Sequence, residues 1–152
     1  MIEIFIDGDA CPVKDEVYVV ATRYGLPVAL VANKRQSVPR DFGVEMVVVE
    51  GTPDAADDWI AEHVRRNDVV VTADIPLAAR CLEVGALAVG SDGRSFDPES
   101  IGAALAAREL HAGLREAGDL FGGPPTLSTR ARSRFLAELD RLVEAGLRAE
   151  RG

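Results

Sequence analysis

The sequence predicts an α/β protein, a three-layer α/β/α sandwich with a mostly parallel central sheet. Short apolar, β-branched runs alternate with stretches of helical periodicity, which is typical of strands joined by right-handed helical crossovers. The run Val69 to Val71 is apolar on both faces, as expected of a central strand. Glycines at positions 25 and 85 stand where helical patterns end.

The predicted strands are, in chain order, Ile2 to Ile6, Val28 to Ala32, Glu45 to Val49, Val69 to Thr72 and Leu87 to Val89. The predicted helices are Val13 to Tyr24, Ala55 to Arg66, Ile75 to Val84, Pro98 to Leu114 and Ala131 to Arg148. In the last of these, four apolar residues share one face: Phe135, Leu139, Leu142 and Val143. The Gly/Pro-rich segment Gly118 to Thr129 is predicted to be irregular. We expect residues 1–117 to form the α/β domain, and 118–152 to add a loop and a helix packed on it.

The composition fits one cytoplasmic domain. With 152 residues and two cysteines far apart in sequence, the chain needs no disulfide, and its apolar runs are too short to span a membrane. The net charge of −8 disfavours nonspecific coating of nucleic acid, but it leaves room for a local basic rim. The candidate clusters are Lys34, Arg35 and Arg40, then Arg65 and Arg66, then Arg130, Arg132 and Arg134, although ordinary surface solvation explains such clusters more often.

Two predicted strands end in acids. Asp7 follows the first strand, and Asp74 follows the Val69 strand after Thr72 and Ala73. Ligands of open α/β sheets bind at the carboxyl ends of the strands. Two carboxylates held there repel each other unless a cation or a shared proton lies between them. Oxygen ligands favour Mg²⁺ or Mn²⁺, and the isolated His63 and His111 do not have zinc-site spacing.

Each acid also has a structural alternative. Asp7 has no basic neighbour, which favours a functional role, whereas Asp9 is either a ligand or a cap of the helix starting near Pro12. Asp74 is placed to cap its helix and could still bind a cation through its other oxygen. On the Ala55 helix, Asp57 lies at the margin of the apolar stripe and Asp58 faces solvent, so Asp57 is the better candidate.

Two further residues have weaker claims to a functional role. Asp92 follows the last predicted strand and is either another oxygen ligand or part of a Ser-Asp-Gly turn. Cys11 precedes a helix, whose dipole would lower the pKa of the thiol, but no base lies beside it in the sequence.

The chain resembles the YaiI/YqxD family of bacterial proteins. The resemblance covers nearly the whole chain and is carried by Ile6-Asp7-Gly8-Asp9-Ala10-Cys11-Pro12-Val13, Leu30 to Asn33, Asp54 to Asp57, Asp68 to Ala78, Gly85-Ala86 and Gly122-Gly123-Pro124. That family is similar to the PIN-like nucleases, which implies a parallel sheet between helices and acids that chelate a divalent metal. By this resemblance, the metal-binding acids are Asp7, Asp57 and Asp74.

The chain departs from the family pattern at two places. Asp92 stands before Gly93 where the family usually has a basic residue, so a fourth shared metal ligand is not expected there. Ala131 stands between Arg130 and Arg132 where the family often has an acid. Asn33 and Arg108 match the family.

These observations lead to the hypothesis of a metal-dependent phosphodiesterase that acts on RNA or single-stranded nucleic acid. Asp7, Asp57 and Asp74 are the catalytic candidates, and together with Asp9 they would bind Mg²⁺ or Mn²⁺. The candidate phosphate-binding residues are Asn33, Lys34, Arg35, Arg130 and Arg132. Two alternatives stay open: a phosphatase with Asp7 as nucleophile and Asp9 as acid or base, and a noncatalytic metal- or nucleotide-binding module.

Overall fold

The computed structural model describes residues 1–39, 43–52, 54–107 and 127–152. Six strands form one sheet in the order β3-β2-β1-β4-β5-β6. Their bounds are Ile4–Asp7 (β1), Val28–Ala32 (β2), Val44–Val48 (β3), Val69–Val71 (β4), Leu87–Val89 (β5) and Ser95–Phe96 (β6). All neighbouring strands are parallel except β5 and β6.

The helices cover both faces of the sheet. Their bounds are Lys14–Tyr24 (α1), Ala55–His63 (α2), Ile75–Glu83 (α3), residues 101–107 (α4) and Thr129–Arg151 (α5). Alternation along β1 separates two apolar cores: Ile4 and Ile6 pack with residues of α1 and α5, whereas Phe5 packs with residues of α2 and α3. The predicted three-layer sandwich with a mostly parallel sheet is therefore confirmed. None of the described helices combines the length and the apolar character needed to cross a membrane.

Most predicted bounds agree with the structure to within a few residues, with two differences. Strand β6 was not predicted, because two residues are too few to show a periodicity. Helix α2 ends at His63 rather than Arg66, since Val64 is extended and the Asp68 carboxylate accepts the N–H of Arg65 at 2.8 Å. That bond replaces a helical hydrogen bond.

The C-terminal helix begins two residues earlier than predicted. The Ser128 hydroxyl caps α5 by accepting the N–H of Ala131 at 3.1 Å. The four predicted apolar residues Phe135, Leu139, Leu142 and Val143 are all buried. The predicted domain boundary at 117/118, most of the predicted loop and the end of the Pro98 helix lie outside the described residues.

The direction of strand succession reverses between β1 and β4. From β1 the chain moves outward through β2 and β3, and from β4 it moves the other way through β5 and β6. The loops at the carboxyl ends of β1 and β4 therefore diverge, and a crevice opens between them, which is where open α/β sheets bind ligands. Gly8 allows the loop after β1 to lie close to β2, because a Cβ at this position would be 2.6 Å from the Leu30 Cδ1 atom.

Candidate functional site

A crevice of about 340 Å³ lies at the carboxyl ends of β1 and β4. Five aspartates line it: Asp7, Asp9, Asp54, Asp57 and Asp74. The other polar side chains along the walls are those of Cys11, Asn33, Thr72 and Ser91, and no lysine or arginine is among the described lining residues. The predicted acids Asp7, Asp9, Asp57 and Asp74 thus share one concave site.

Thr72 connects the two strand-end acids. Its hydroxyl donates to Asp7 Oδ2 at 2.8 Å and accepts the backbone N–H of Asp74 at 2.9 Å. Because the hydroxyl oxygen receives the Asp74 N–H, its single proton is directed to Asp7. Thr72 is 2% exposed, so this geometry is held inside the protein.

Asp74 caps α3, as its position in the sequence indicates. Its Oδ1 atom accepts the N–H of Leu77 at 2.9 Å. Oδ1 of Asp7 and Oδ2 of Asp74 have no hydrogen bond to any other described residue. Each of the two acids therefore keeps one carboxylate oxygen available to a ligand in the crevice.

Helix α2 presents two neighbouring acids to different surroundings. Asp57 is half-buried and lines the crevice, while Asp58 is exposed and pairs with Arg80 at 2.8 Å. The choice of Asp57 over Asp58 made from helical spacing agrees with these positions. Asp57 lies one residue after Ala56, which packs in the core.

Asp9 does not cap the following helix. The N-cap of α1 is Val13, which makes no side-chain capping bond, so that interpretation of Asp9 is wrong. Asp9 lies within a 3-10 turn over Gly8–Ala10, before α1, and its carboxylate reaches the end of β2. There Asp9 Oδ1 accepts the backbone N–H of Asn33 at 2.9 Å.

Burial and mutual repulsion raise the pKa values of two crevice acids. Desolvation is the main cause for Asp7, with the charges of Asp74 and Asp9 adding to it and the Thr72 hydrogen bond opposing it. The pKa of Asp57 rises from its ordinary 3.8 to about 7, first through desolvation and then through the charges of Asp74 and Asp7. The three acids are therefore electrostatically coupled.

The surroundings of Cys11 and Asp92 favour structural roles over catalytic ones. Burial raises the pKa of the Cys11 thiol, so the expected activation by the helix dipole is wrong. Asp92 accepts the N–H of Arg94 at 3.0 Å within the turn that joins β5 to β6, as the Ser-Asp-Gly alternative predicts. Asp92 does not line the crevice, whereas its neighbour Ser91 does.

The predicted phosphate-binding residues have different roles in the fold. Lys34 and Arg35 are exposed in the loop after Asn33, and Arg130 is exposed in the first turn of α5. The guanidinium of Arg132 donates to the Pro12 carbonyl at 2.8 Å and pairs with Glu16 at 3.2 Å, so it joins the start of α5 to the start of α1. Arg40, Arg108, His111 and the Gly122 to Pro124 motif lie outside the described residues.

The donor chemistry of the crevice fits Mg²⁺ or Mn²⁺, which prefer oxygen ligands. The carboxylates supply these oxygens, and the buried side-chain oxygen of Asn33 has no hydrogen-bond partner among the described residues. Within the described ranges, however, no three Asp, Glu, His or Cys side chains already meet at one point as metal ligands do. Ion binding would therefore require side-chain rotation.

Three polar crevice residues were not weighed as site candidates: Asp54, Thr72 and Ser91. Asp54 precedes α2 and Ser91 follows β5, positions where acids and serines commonly serve helix starts and turns. Thr72 ends a run of valines, and a hydroxyl at the end of a buried strand was the available signal. Its partner Asp7 is 65 positions away, so the bond itself could not be predicted locally.

The sheet and the crevice define an α/β protein with an acidic site at its topological switch point. The chain belongs to the YaiI/YqxD family, because the family model described as "Uncharacterized BCR, YaiI/YqxD family" matches residues 5–145. The predicted family resemblance is thereby confirmed, and the fold is compatible with a PIN-like domain.

Relatives of similar length carry the family name UPF0178. The chain is 52% identical to a UPF0178 protein of Rhodospirillum rubrum, over 94% of this chain and 96% of that one. It is 53% identical to UPF0178 proteins of Rhodospirillum centenum, over 95% and 97% of the two chains, and of Brucella suis, over 96% and 94%. No solved structure matches the chain.

Proposed function

We propose that this protein is a divalent-metal-dependent phosphodiesterase acting on RNA or single-stranded nucleic acid. The observation that supports the proposal best is the meeting of Asp7, Asp57 and Asp74, from β1, α2 and the start of α3, in one crevice. Desolvation, and then the charges of Asp74 and Asp7, raise the pKa of Asp57 to about 7, and a bound cation would relieve the repulsion among the three acids.

In this proposal the acids would act as metal ligands in different ways. Asp7 and Asp74 would each offer the oxygen that has no hydrogen bond within the described structure, and Asp57 and Asp9 would complete the carboxylate set. Thr72 orients Asp7, and the Leu77 N–H orients Asp74. When bound, Mg²⁺ or Mn²⁺ activates water at neutral pH and stabilises the charge of a phosphodiester in the transition state.

The charges around the crevice support a polyanionic substrate. A wall whose described charged side chains are all acidic repels a polyanion unless cations intervene, which suits a reaction that depends on metal. Lys34, Arg35 and Arg130 are exposed and could contact the phosphates of a strand that leaves the crevice. Arg132, which is paired with Glu16, would instead hold α5 in place.

The test is Mn²⁺-dependent cleavage of a labelled single-stranded RNA. Asp7→Asn, Asp57→Asn and Asp74→Asn should each lose activity, while Asp58→Asn on the same helix should keep it, because Asp58 lies outside the crevice. Metal catalysis supplies several kcal/mol, and each 1.36 kcal/mol is tenfold in rate. We therefore expect losses of about a hundredfold or more.

Equal activity in all variants, or cleavage that persists with EDTA, would contradict the proposal. Trapping a phosphoryl or trifluoroberyllate group on Asp7 would indicate the phosphatase instead. Tight Mn²⁺ binding without cleavage of any polymer would indicate the noncatalytic module.

A further inference from the structure

We infer that the side-chain oxygen of Asn33 is a neutral ligand of the cation bound in the acidic crevice. The inference rests on the proposed function, since it assumes that the crevice binds a divalent metal. It adds a ligand of a different kind on the β2 side, next to Asp7 and Asp9.

Asn33 is held firmly over the crevice. Its backbone N–H donates to Asp9 Oδ1 at 2.9 Å, directly after β2 ends. Three residues on, Gln36 Nε2 donates to the Gly8 carbonyl at 2.9 Å, and Lys14 Nζ donates to Gln36 Oε1. The loop after β2 is thus tied to the loop after β1, so the backbone that carries Asn33 is fixed relative to both strands.

The Asn33 Oδ1 atom is buried and accepts no hydrogen bond from any described residue. An acceptor left unpaired inside the protein has lost its hydration without a replacement, which is unfavourable. Among the crevice side chains, ionised Asp7 and Asp9 are acceptors only, and the Thr72 proton is directed to Asp7. A cation in the crevice would satisfy the oxygen.

A neutral oxygen is suited to this place. Asn carbonyls are regular ligands of hard divalent cations, and the balance of charged and neutral ligands tunes affinity. A further carboxylate would add negative charge to a crevice that five aspartates already line. An amide adds a ligand without adding charge.

The test is Mn²⁺ binding, measured by isothermal titration calorimetry on the full chain without nucleic acid. We compare the wild type with Asn33→Ala, Asn33→Asp and Ser37→Ala, the last being an exposed residue of the same loop. Removing groups around a metal weakens its binding about 10–100-fold. Asn33→Ala should fall in that range, Asn33→Asp should restore binding, and Ser37→Ala should match the wild type.

Thermal unfolding with EDTA separates ligation from a structural role. Asn33→Ala removes an unpaired acceptor, so without metal it should be no less stable than the wild type. Wild-type affinity in Asn33→Ala would overturn the inference. So would a metal-free Asn33→Ala that is destabilised together with an Asn33→Asp that fails to restore binding.

A further variant distinguishes this inference from the proposed function. If the wild type binds Mn²⁺, Asp7→Asn loses it and Asn33→Ala keeps it, only the role of Asn33 is wrong. If the wild type binds no Mn²⁺, the proposed function itself fails, and the Asn33 ligand fails with it.

Discussion

Thr72 shows how one hydroxyl can fix a carboxylate. It bridges Asp7 and the N–H of Asp74 while being 2% exposed. Replacing it with valine keeps the shape but leaves the Asp74 N–H without its acceptor, which costs about 1–3 kcal/mol. We therefore expect Thr72→Val to lower the free energy of unfolding by that amount in urea denaturation, and to raise the pKa of Asp7 in an NMR titration.

Thr72→Ser is the matched control, because it keeps the hydroxyl. It should preserve the Asp7 pKa even where it loses some stability through the missing methyl group. An unchanged Asp7 pKa in Thr72→Val would show that the hydrogen bond does not stabilise the ionised carboxylate.

Asp57 makes the stability of the protein depend on pH. Its pKa rises from 3.8 to about 7 on folding, so between these values the folded chain binds a proton that the unfolded chain has released. This contribution to stability is fully present below pH 3.8 and is lost as the pH rises through about 7. Asp7, whose pKa is also raised, acts in the same direction.

We therefore expect Asp57→Asn to lose less stability than the wild type between pH 5 and pH 8. Urea midpoints with EDTA at the two pH values measure the difference. Asp58→Asn, which removes an exposed acid outside the crevice, should follow the wild-type pH dependence. A wild-type pH dependence in Asp57→Asn would contradict the electrostatic coupling.

The acids that were expected to lie together, and that line one crevice, are those whose position can be inferred from the residues next to them in the sequence. Asp7 and Asp74 follow strands of one parallel sheet, and helical spacing distinguishes Asp57 from Asp58. The pairing of Arg132 with Glu16 spans 116 positions, so a charge count could only suggest a free basic side chain. Long-range partners of this kind have no local pattern.

At the scale of elements, α5 approaches the sheet closely at Gly146. A Cβ at this position would lie 2.6 Å from the backbone carbonyl oxygen of Asn67. Alanine is intrinsically the better helix former by about 1 kcal/mol, but relieving such a clash costs about 1–3 kcal/mol. We expect Gly146→Ala to be destabilising in urea denaturation.

Gly102 in α4 provides the comparison, because a Cβ there would meet no atom of the described residues within 4 Å. Gly102→Ala should be neutral or stabilising through helix propensity alone. If both alanine variants behave alike, the close approach of α5 at Gly146 is not rigid.

The helices and strands themselves were largely predictable because their apolar residues follow clear helical and strand patterns. The predicted bounds of β2 and β5 agree with the structure, and those of α1 and α3 differ by one residue. Strand order is a different matter: the sequence indicated a parallel sheet, but the placement of β1 between β2 and β4 depends on packing across the whole chain. The end of α2, by contrast, depends on a local bond from the Arg65 N–H to the Asp68 carboxylate, which the helical periodicity does not reveal.

At the scale of the molecule, binding to nucleic acid must work against a net charge of −8. If Lys34 and Arg35 each neutralise one phosphate, their joint replacement by alanine should weaken single-stranded RNA binding. It should also reduce the slope of log K against log salt by about 1.4, at about 0.7 per phosphate. Fluorescence anisotropy over a salt series at fixed Mn²⁺ measures this slope.

Arg148→Ala with Arg151→Ala is the control for this change in charge. Both arginines are exposed near the end of α5. They follow Gly146, which lies against Asn67 just before β4 begins, at the edge of the sheet opposite the crevice. The control should leave the slope unchanged. Equal slopes for the two double variants would mean that the loop after β2 does not contact phosphates.

The central position of β1 has a consequence for biosynthesis. Ile4 pairs with Val28 of β2 on one side and with Val69 of β4 on the other. Strand β1 is synthesised first, but one of its edges therefore stays unpaired until β4 has been synthesised. The buried side chains of α5, including Phe135 and Leu139, reach the core that contains Ile4 and Ile6 later still. On the ribosome, the crevice acids are therefore translated well before the helix that covers the back of their sheet, and the nascent site remains without that support until α5 has emerged.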